Sequence, residues 1–282
     1  MSVKIISDST CDLSEELINK YNIQIAPLHV VLDGEEFEDG KNIYPDEIYA
    51  WSDTTKTTPK TSAPSIEDVA TLINEAVADG SEVVCFCISE KMSATGSVMR
   101  MASEGFEDRV FVIDSGNLST GVGLLVIEAA IMAGQGKPAK EIAEYIESIK
   151  PDVRASFVVD TLTYLYRGGR CSGLAALAGG ALKLHPKILV EDGAMHPGKK
   201  YRGKMQAVIL NYVEDMREQI NNARPDRVFI THSGCDEDTI QKVREYLQSM
   251  NIFEEILVTR AGSVISSHCG PGTLGVLFIE KK

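Results

Sequence analysis

The sequence predicts an α/β protein of two domains, residues 1–152 and 153–282. Three observations carry this. Short apolar runs alternate with helical patterns through the first half, which points to βαβ crossovers and a parallel sheet. The charge changes after Asp152, from net −16 before it to net +3 beyond. A chain of 282 residues also exceeds the roughly 100–200 typical of one domain.

Taken in order, residues 3–7 read as a strand and Asp8 to Asp12 as a polar turn. Ser14 is placed to cap a helix that opens on Glu15 and Glu16. Residues 24–32 read as one strand ending at the Asp33-Gly34 hairpin signal. Pro45 opens a helix with Ile48 and Trp51 on its apolar side. Residues 54–65 hold seven Ser/Thr and two Pro, which predicts a loop. Ser65 then caps a helix over 66–78, apolar at Val69, Leu72, Ile73, Ala76 and Val77. Residues 82–88 are nearly continuous apolar sequence, as expected of a strand buried on both faces. A helix to about 103, a strand over 110–113 and helices over 121–134 and 138–149 follow.

The second half reads as mixed. Strands are expected at 154–159, 188–190, 227–233, 255–259, 263–267 and 273–280. Helices are expected at 162–166, 173–184 and 203–222, with another from Glu237.

Composition excludes several classes. Net charge −13 disfavours general nucleic-acid binding, which depends on neutralising phosphates. No apolar run reaches the ~18–20 residues of a membrane span. The start of the chain lacks a signal-peptide core, and the six cysteines are scattered, so a reduced cytoplasmic protein is expected. Cys85 and Cys87 fall on one face of a strand, and no metal site is expected from the cysteines. There is no G-x-x-x-x-G-K-[ST] and no G-x-G-x-x-G after a strand, so no nucleotide cofactor is expected.

The candidate sites are hydroxyl-rich turns. Thr61-Ser62-Ala63-Pro64-Ser65 and Ser93-Ala94-Thr95-Gly96-Ser97 stand at strand ends or helix starts, where α/β sheets bind ligands. Hydroxyls and free helix N–H groups suit a carboxylate, although two capped helices would explain the same residues. Asp8 and Asp12 could hold a metal or supply a nucleophile, but capping explains them more simply. His268, beside Gly270 and Gly272, could donate to an anion. His268 and Cys269 are sequence neighbours whose side chains diverge, which makes a catalytic dyad unfavourable. The basic run 199–204 could attract a phosphate or an acidic surface, or be solvated.

These blocks together resemble the DegV family. The resemblance is carried by Ser7 to Leu13, Thr61 to Ser65, Ile88 to Thr95, Asp114-Ser115, Thr120 to Gly123, Leu162 to Arg170, Leu184 to Leu189 and His268 to Gly272. They occur in order over nearly the whole chain. The resemblance implies an N-terminal three-layer α/β/α domain and a C-terminal α/β domain with a mixed sheet. It also implies a non-enzymatic, cytoplasmic carrier that holds one long-chain fatty acid between the domains. The carrier presents the carboxylate to a separate fatty-acid kinase for acyl-phosphate formation. Family carboxylate contacts map onto Thr61 and Ser93, with His268 as a neighbour of the head group. Arg170 and Arg202 would face the kinase. Ala94 stands where the family often has Gly, so a turn needing positive φ would be strained here. The alternatives are an esterase- or phosphatase-like hydrolase using the same pocket, and a regulatory interaction module.

Overall fold

The computed structural model describes residues 2–170 and 184–282. The expected helix over 173–184 lies, but for its last residue, outside them.

A parallel sheet is built from β1 (Val3–Asp8), β2 (Ile23–Ala26), β6 (Glu82–Cys87) and β7 (Val110–Asp114), in the order β2-β1-β6-β7. Alternation along β6 explains its unbroken apolar sequence. Val83, Cys85 and Cys87 pack against α3 (Ile66–Val77) and α4 (Thr95–Ala102). Val84 and Phe86 join the core beneath α5 (Thr120–Gly134) and α6 (Ala139–Ile149). The two cysteines therefore share one face, and helices cover the sheet on both sides.

The second sheet is mixed, as the sequence implies. It contains β8 (Val153–Val158), β9 (His185–Glu191), β10 (Ala194–Tyr201), β11 (Ala223–Ser233), β12 (Glu255–Arg260) and β13 (Thr273–Glu280). The order is β10-β9-β8-β13-β11-β12, with only β11 and β12 parallel. One face carries α8 (Met205–Asp215), α9 (Arg217–Asn221) and α10 (Glu237–Ser249). Its other face meets α5. Phe157, Phe229 and Leu277 share a core with Val122, Leu125 and Val126. Helix α5 is thus packed between two sheets, and residues 120–130 are all buried. A helix apolar all round is what such a position requires. The division after Asp152 falls between the sheets, while the hydrophobic core runs across it.

Five expectations are corrected. Residues 24–32 form two strands, because Pro27-Leu28 turns the chain from β2 into β3 (His29–Leu32) of a third sheet. That small sheet, ordered β4-β3-β5, includes β4 (Glu35–Glu38) and β5 (Lys60–Ser62), so the expected 54–65 loop ends in a strand. The helix expected over 203–222 breaks at Met216 into α8 and α9. Residues 263–267 are helical, forming α11 (Ser263–Cys269). In α2 (Pro45–Thr55), Ile48 and Ser52 are buried, whereas Trp51 is half-exposed and donates to Asp33 Oδ2 at 2.8 Å.

Candidate functional site

The parallel sheet reverses its strand order between β1 and β6, where such sheets leave a crevice beyond their carboxyl ends. Asp8, at the end of β1, accepts from Ile88 N at 2.8 Å at the end of β6. It also accepts from Thr10 N at 3.0 Å and Thr10 Oγ1 at 2.6 Å. Fully buried and bonded, Asp8 organises the rim and is absent from the cavity wall; the capping reading holds.

Beside this rim lies a cavity of about 280 Å³. The turn after β6 supplies Ile88, Met92, Ser93 and Ala94. The turn into the small sheet supplies Leu28, and its strand β5 supplies Thr61 and Ser62. From α11 come Val264, Ile265, His268 and Cys269, and the second half adds Leu165, Met195 and Arg170. The wall is mainly apolar, with hydroxyls, one imidazole and one guanidinium gathered in it, the usual make-up of a small-molecule site.

All three residues proposed from sequence line this cavity. His268 Nε2 is 2.9 Å from Thr61 Oγ1, a bond between residues 207 apart in the chain. Ser93 Oγ is 2.8 Å from Thr95 Oγ1 and accepts from Thr95 N at 3.3 Å, so it also closes the turn into α4. Ala94 sits at φ −82°, ψ 2°, a negative φ that does not require glycine, so the positive-φ strain expected of an alanine here does not arise. The capping explanation holds for Ser65, whose Oγ accepts from Asp68 N at 3.0 Å outside the cavity wall.

Two further polar residues line the wall, Ser62 of the candidate turn 61–65 and Arg170. Ser62 Oγ is buried with no hydrogen-bond partner among the described residues. Arg170, expected on an outward surface, lines the cavity instead, donating to Gly168 O at 2.7 Å and Met92 O at 3.4 Å. Its place follows the tight Gly168-Gly169 turn, with Gly169 at φ +71°, after α7 (Thr163–Arg167). Arg202 is exposed, away from this wall.

Burial, reinforced by the Arg170 charge, pushes His268 down to about 4, so the ring is neutral at pH 7. Its Nδ1 has no partner among the described residues and faces Gly168, where a Cβ would collide with it. Among the described residues, no carboxylate reaches Nδ1 to complete a nucleophile–base–orienter set with Thr61 and His268. A buried lone pair is tolerated better than a buried N–H, which favours the proton on Nε2, donated to Thr61 Oγ1. The Thr61 hydroxyl hydrogen is then free for a ligand. Across from this pair, a Cβ on Gly270 would strike the Tyr164 ring, so α7 and α11 interlock through two glycines.

The five described cysteines are unpaired, and burial pushes Cys11, Cys85 and Cys269 up to about 12. Among the described residues, no three His, Cys, Asp or Glu side chains are grouped to hold a metal. No described helix is long and apolar enough to cross a membrane.

A family model described as "Uncharacterised protein, DegV family" matches residues 2–281, and the chain belongs to that family. A DegV domain-containing protein of Deinococcus radiodurans is 31% identical over 277 residues, covering 98% of each chain. Among solved structures, a Thermus thermophilus DegV family protein described by its fatty-acid binding superposes with a TM-score of 0.91, at 31% identity over 100% of both chains. A stearic acid-binding protein of Eubacterium ventriosum superposes at 0.85, with 30% identity over 99% of this chain and 98% of that one.

Proposed function

We propose that this protein binds one long-chain fatty acid, with the carboxylate held by Thr61 and Ser93 beside His268 and the acyl chain in the apolar part of the cavity. The observation that carries the reading is the meeting of Thr61, Ser93 and His268 around one mainly apolar cavity. The fatty-acid ligands of the Thermus and Eubacterium relatives support it.

The physical division of labour is clear. Each buried methylene contributes about 0.8 kcal/mol, so a chain of ~16 carbons gains roughly 10 kcal/mol before ordering costs. The head group sets orientation, because an unpaired buried carboxylate is expensive. Thr61 donates while its own oxygen is held by His268 Nε2–H. Ser62 Oγ, unpartnered among the described residues, offers a further donor. Arg170 adds a positive field without occupying the hydroxyls. In this reading, segments 1–152 and 153–282 enclose the acyl chain between them.

The protein is further proposed to act as a carrier in the cytoplasm, presenting the carboxylate to a separate ATP-dependent kinase that forms the acyl-phosphate. The chain lacks the nucleotide-binding loop motifs that this chemistry would need in cis.

The test is native-state mass of the purified protein, followed by extraction and identification of released lipid. A stoichiometric fatty acid is expected. The Thr61→Ala/Ser93→Ala double variant should fold and lose it; undiminished retention there would sink the carboxylate assignment. For the carrier role, ATP, a purified bacterial fatty-acid kinase and the loaded protein should yield acyl-phosphate trapped as hydroxamate. No hydroxamate would remove that role and leave the binding reading intact.

A further inference from the structure

Helix α11 carries His268 one residue before its end, and its other end is tied by two buried carboxylates from the first half of the chain. Asp39 Oδ1 accepts from Ser263 N at 2.6 Å, and Asp12 Oδ1 accepts from Gly262 N at 2.8 Å. No charged partner faces either carboxylate among their hydrogen bonds. Asp39 Oδ2 takes the Ser9 hydroxyl at 2.9 Å, and Asp12 Oδ2 takes the Ser119 hydroxyl at 2.5 Å. Both carboxyls accept from backbone N–H groups at the helix start that have no partner within the helix.

The decisive relation is between the two ends of α11 and the small sheet. Asp39 directly follows β4, and Thr61 lies on β5. Both strands pair with β3: His29 stands opposite Glu38 on one side, and Val30 opposite Thr61 on the other. The ladder therefore sets the separation between Asp39 and Thr61. Along α11, Ser263 and His268 are five residues apart, a rise of about 7.5 Å. One short rigid helix is thus bonded at both ends to one small rigid sheet, by Asp39 to Ser263 and by Thr61 to His268. The same network reaches the cavity wall a second time: Ser9 Oγ accepts from Leu28 N at 3.1 Å, and Asp39 N donates to Leu28 O at 2.9 Å.

We infer that Asp39 is a positioning residue for the carboxylate-holding pair Thr61 and His268, acting through α11, with Asp12 as a second anchor. The inference rests on the fatty-acid reading above. Asp39 does not line the cavity, so its effect on ligand must pass through the helix. Without the Asp39 tie, α11 can slide or tilt against β5, and Nε2 of His268 loses its fixed approach to the Thr61 hydroxyl.

The experiment uses the full chain loaded with stearate and follows its release to excess serum albumin. Asp39→Ala should stay folded by circular dichroism and release stearate about tenfold faster, the scale of one lost hydrogen bond. Asp39→Asn keeps an acceptor for Ser263 N–H, turns the acceptor facing Ser9 into an amide donor to its Oγ, and should restore the slow rate. The imidazole ¹⁵N spectrum should lose the Nε2 hydrogen-bond signature in the alanine variant and keep it in the asparagine variant. Release from the Asp39→Ala/His268→Ala double variant should barely exceed that from His268→Ala, because both changes act on one pair. If Asp39→Ala does not fold, Ser263→Pro removes the donor at the first helical position, which proline suits, and should release stearate faster in the same way. Wild-type release from Asp39→Ala, or from Ser263→Pro in its place, overturns the inference while leaving the ligand assignment standing. Undiminished retention in Thr61→Ala/Ser93→Ala sinks the assignment itself, and the positioning role with it.

Discussion

Two buried acidic junctions join the halves of this chain, and they are built on opposite principles. At the first, Glu128 of α5 is nearly buried and meets cations: Arg227 Nη1 at 2.5 Å and Arg224 Nη2 at 3.0 Å. Arg224 also pairs with Asp226 at 2.5 Å, and Arg227 Nε stands 3.6 Å from Glu255. At the second, Asp8, Asp12 and Asp39 crowd around the 3₁₀ turn at Ser9–Cys11 and the start of α11. Their hydrogen bonds come from hydroxyls and backbone N–H groups. Burial pushes Asp8 up to about 6 and raises Asp12 and Asp39, and neighbouring carboxyls add to the rise at Asp8 and Asp12. The two junctions therefore surround their buried carboxyls differently, one with guanidinium partners and the other with hydroxyls and backbone N–H groups. The second adjoins the cavity, and its carboxylates position backbone rather than neutralise charge.

The comparison is sharpest under mutation of the first junction. Glu128→Gln should cost about 3–5 kcal/mol in urea unfolding, because it leaves the Arg227 guanidinium buried without its counter-ion. A loss below 1 kcal/mol would mean that Glu255 and Asp226 suffice. Next in size is the pH response of the second junction. A carboxyl raised in the folded state binds its proton more tightly there than in the unfolded chain. Asp8 therefore contributes stability that is fully present below its ordinary value of 3.8 and lost as pH rises through about 6. The span for Asp8 alone is on the order of 2–3 kcal/mol. Asp8→Asn should flatten the stability profile between pH 4 and 6; an unchanged profile would place the proton elsewhere.

Ser119→Ala removes one hydroxyl donor from Asp12 and should cost about 1–2 kcal/mol in urea unfolding. An unchanged urea midpoint would show that the Gly262 N–H suffices to hold Asp12. As a baseline for both junctions, Lys199→Ala breaks an exposed pair with Asp215 and should change stability by less than about 1 kcal/mol, measured by the shift in urea midpoint.

Legibility in the sequence followed periodicity and local chemistry. Ser14 and Ser65 were readable as caps because their hydroxyls act within three residues, on Leu17 N and Asp68 N. The apolar surround of α5 and the unbroken run of β6 signalled burial before any partner was visible. Helix α11 was not readable. Its Ser-Val-Ile-Ser-Ser pattern has the β-branched residues of a strand. Its helicity depends on Asp12 and Asp39, more than 220 residues away, and on Ser267 Oγ bonding back to Ser263 O at 2.7 Å. The split of residues 24–32 was equally hidden, because the two strands belong to different sheets.

For the site, the turns 61–65 and 93–97 and His268 were legible as local features, hydroxyl-rich stretches and a glycine-flanked histidine, while the family resemblance singled out Thr61 and Ser93 within the turns. Arg170 was missed as a cavity wall because it carries no local mark of which way it faces. The sequence by itself determined the α/β class, the parallel and mixed sheets, and the helices whose caps and periodicity are local. Only the tertiary structure decided that α11 is a helix, that Arg170 turns inward, and that Thr61 meets His268 across 207 residues. Those outcomes depend on contacts between distant segments, which no spacing along the chain encodes.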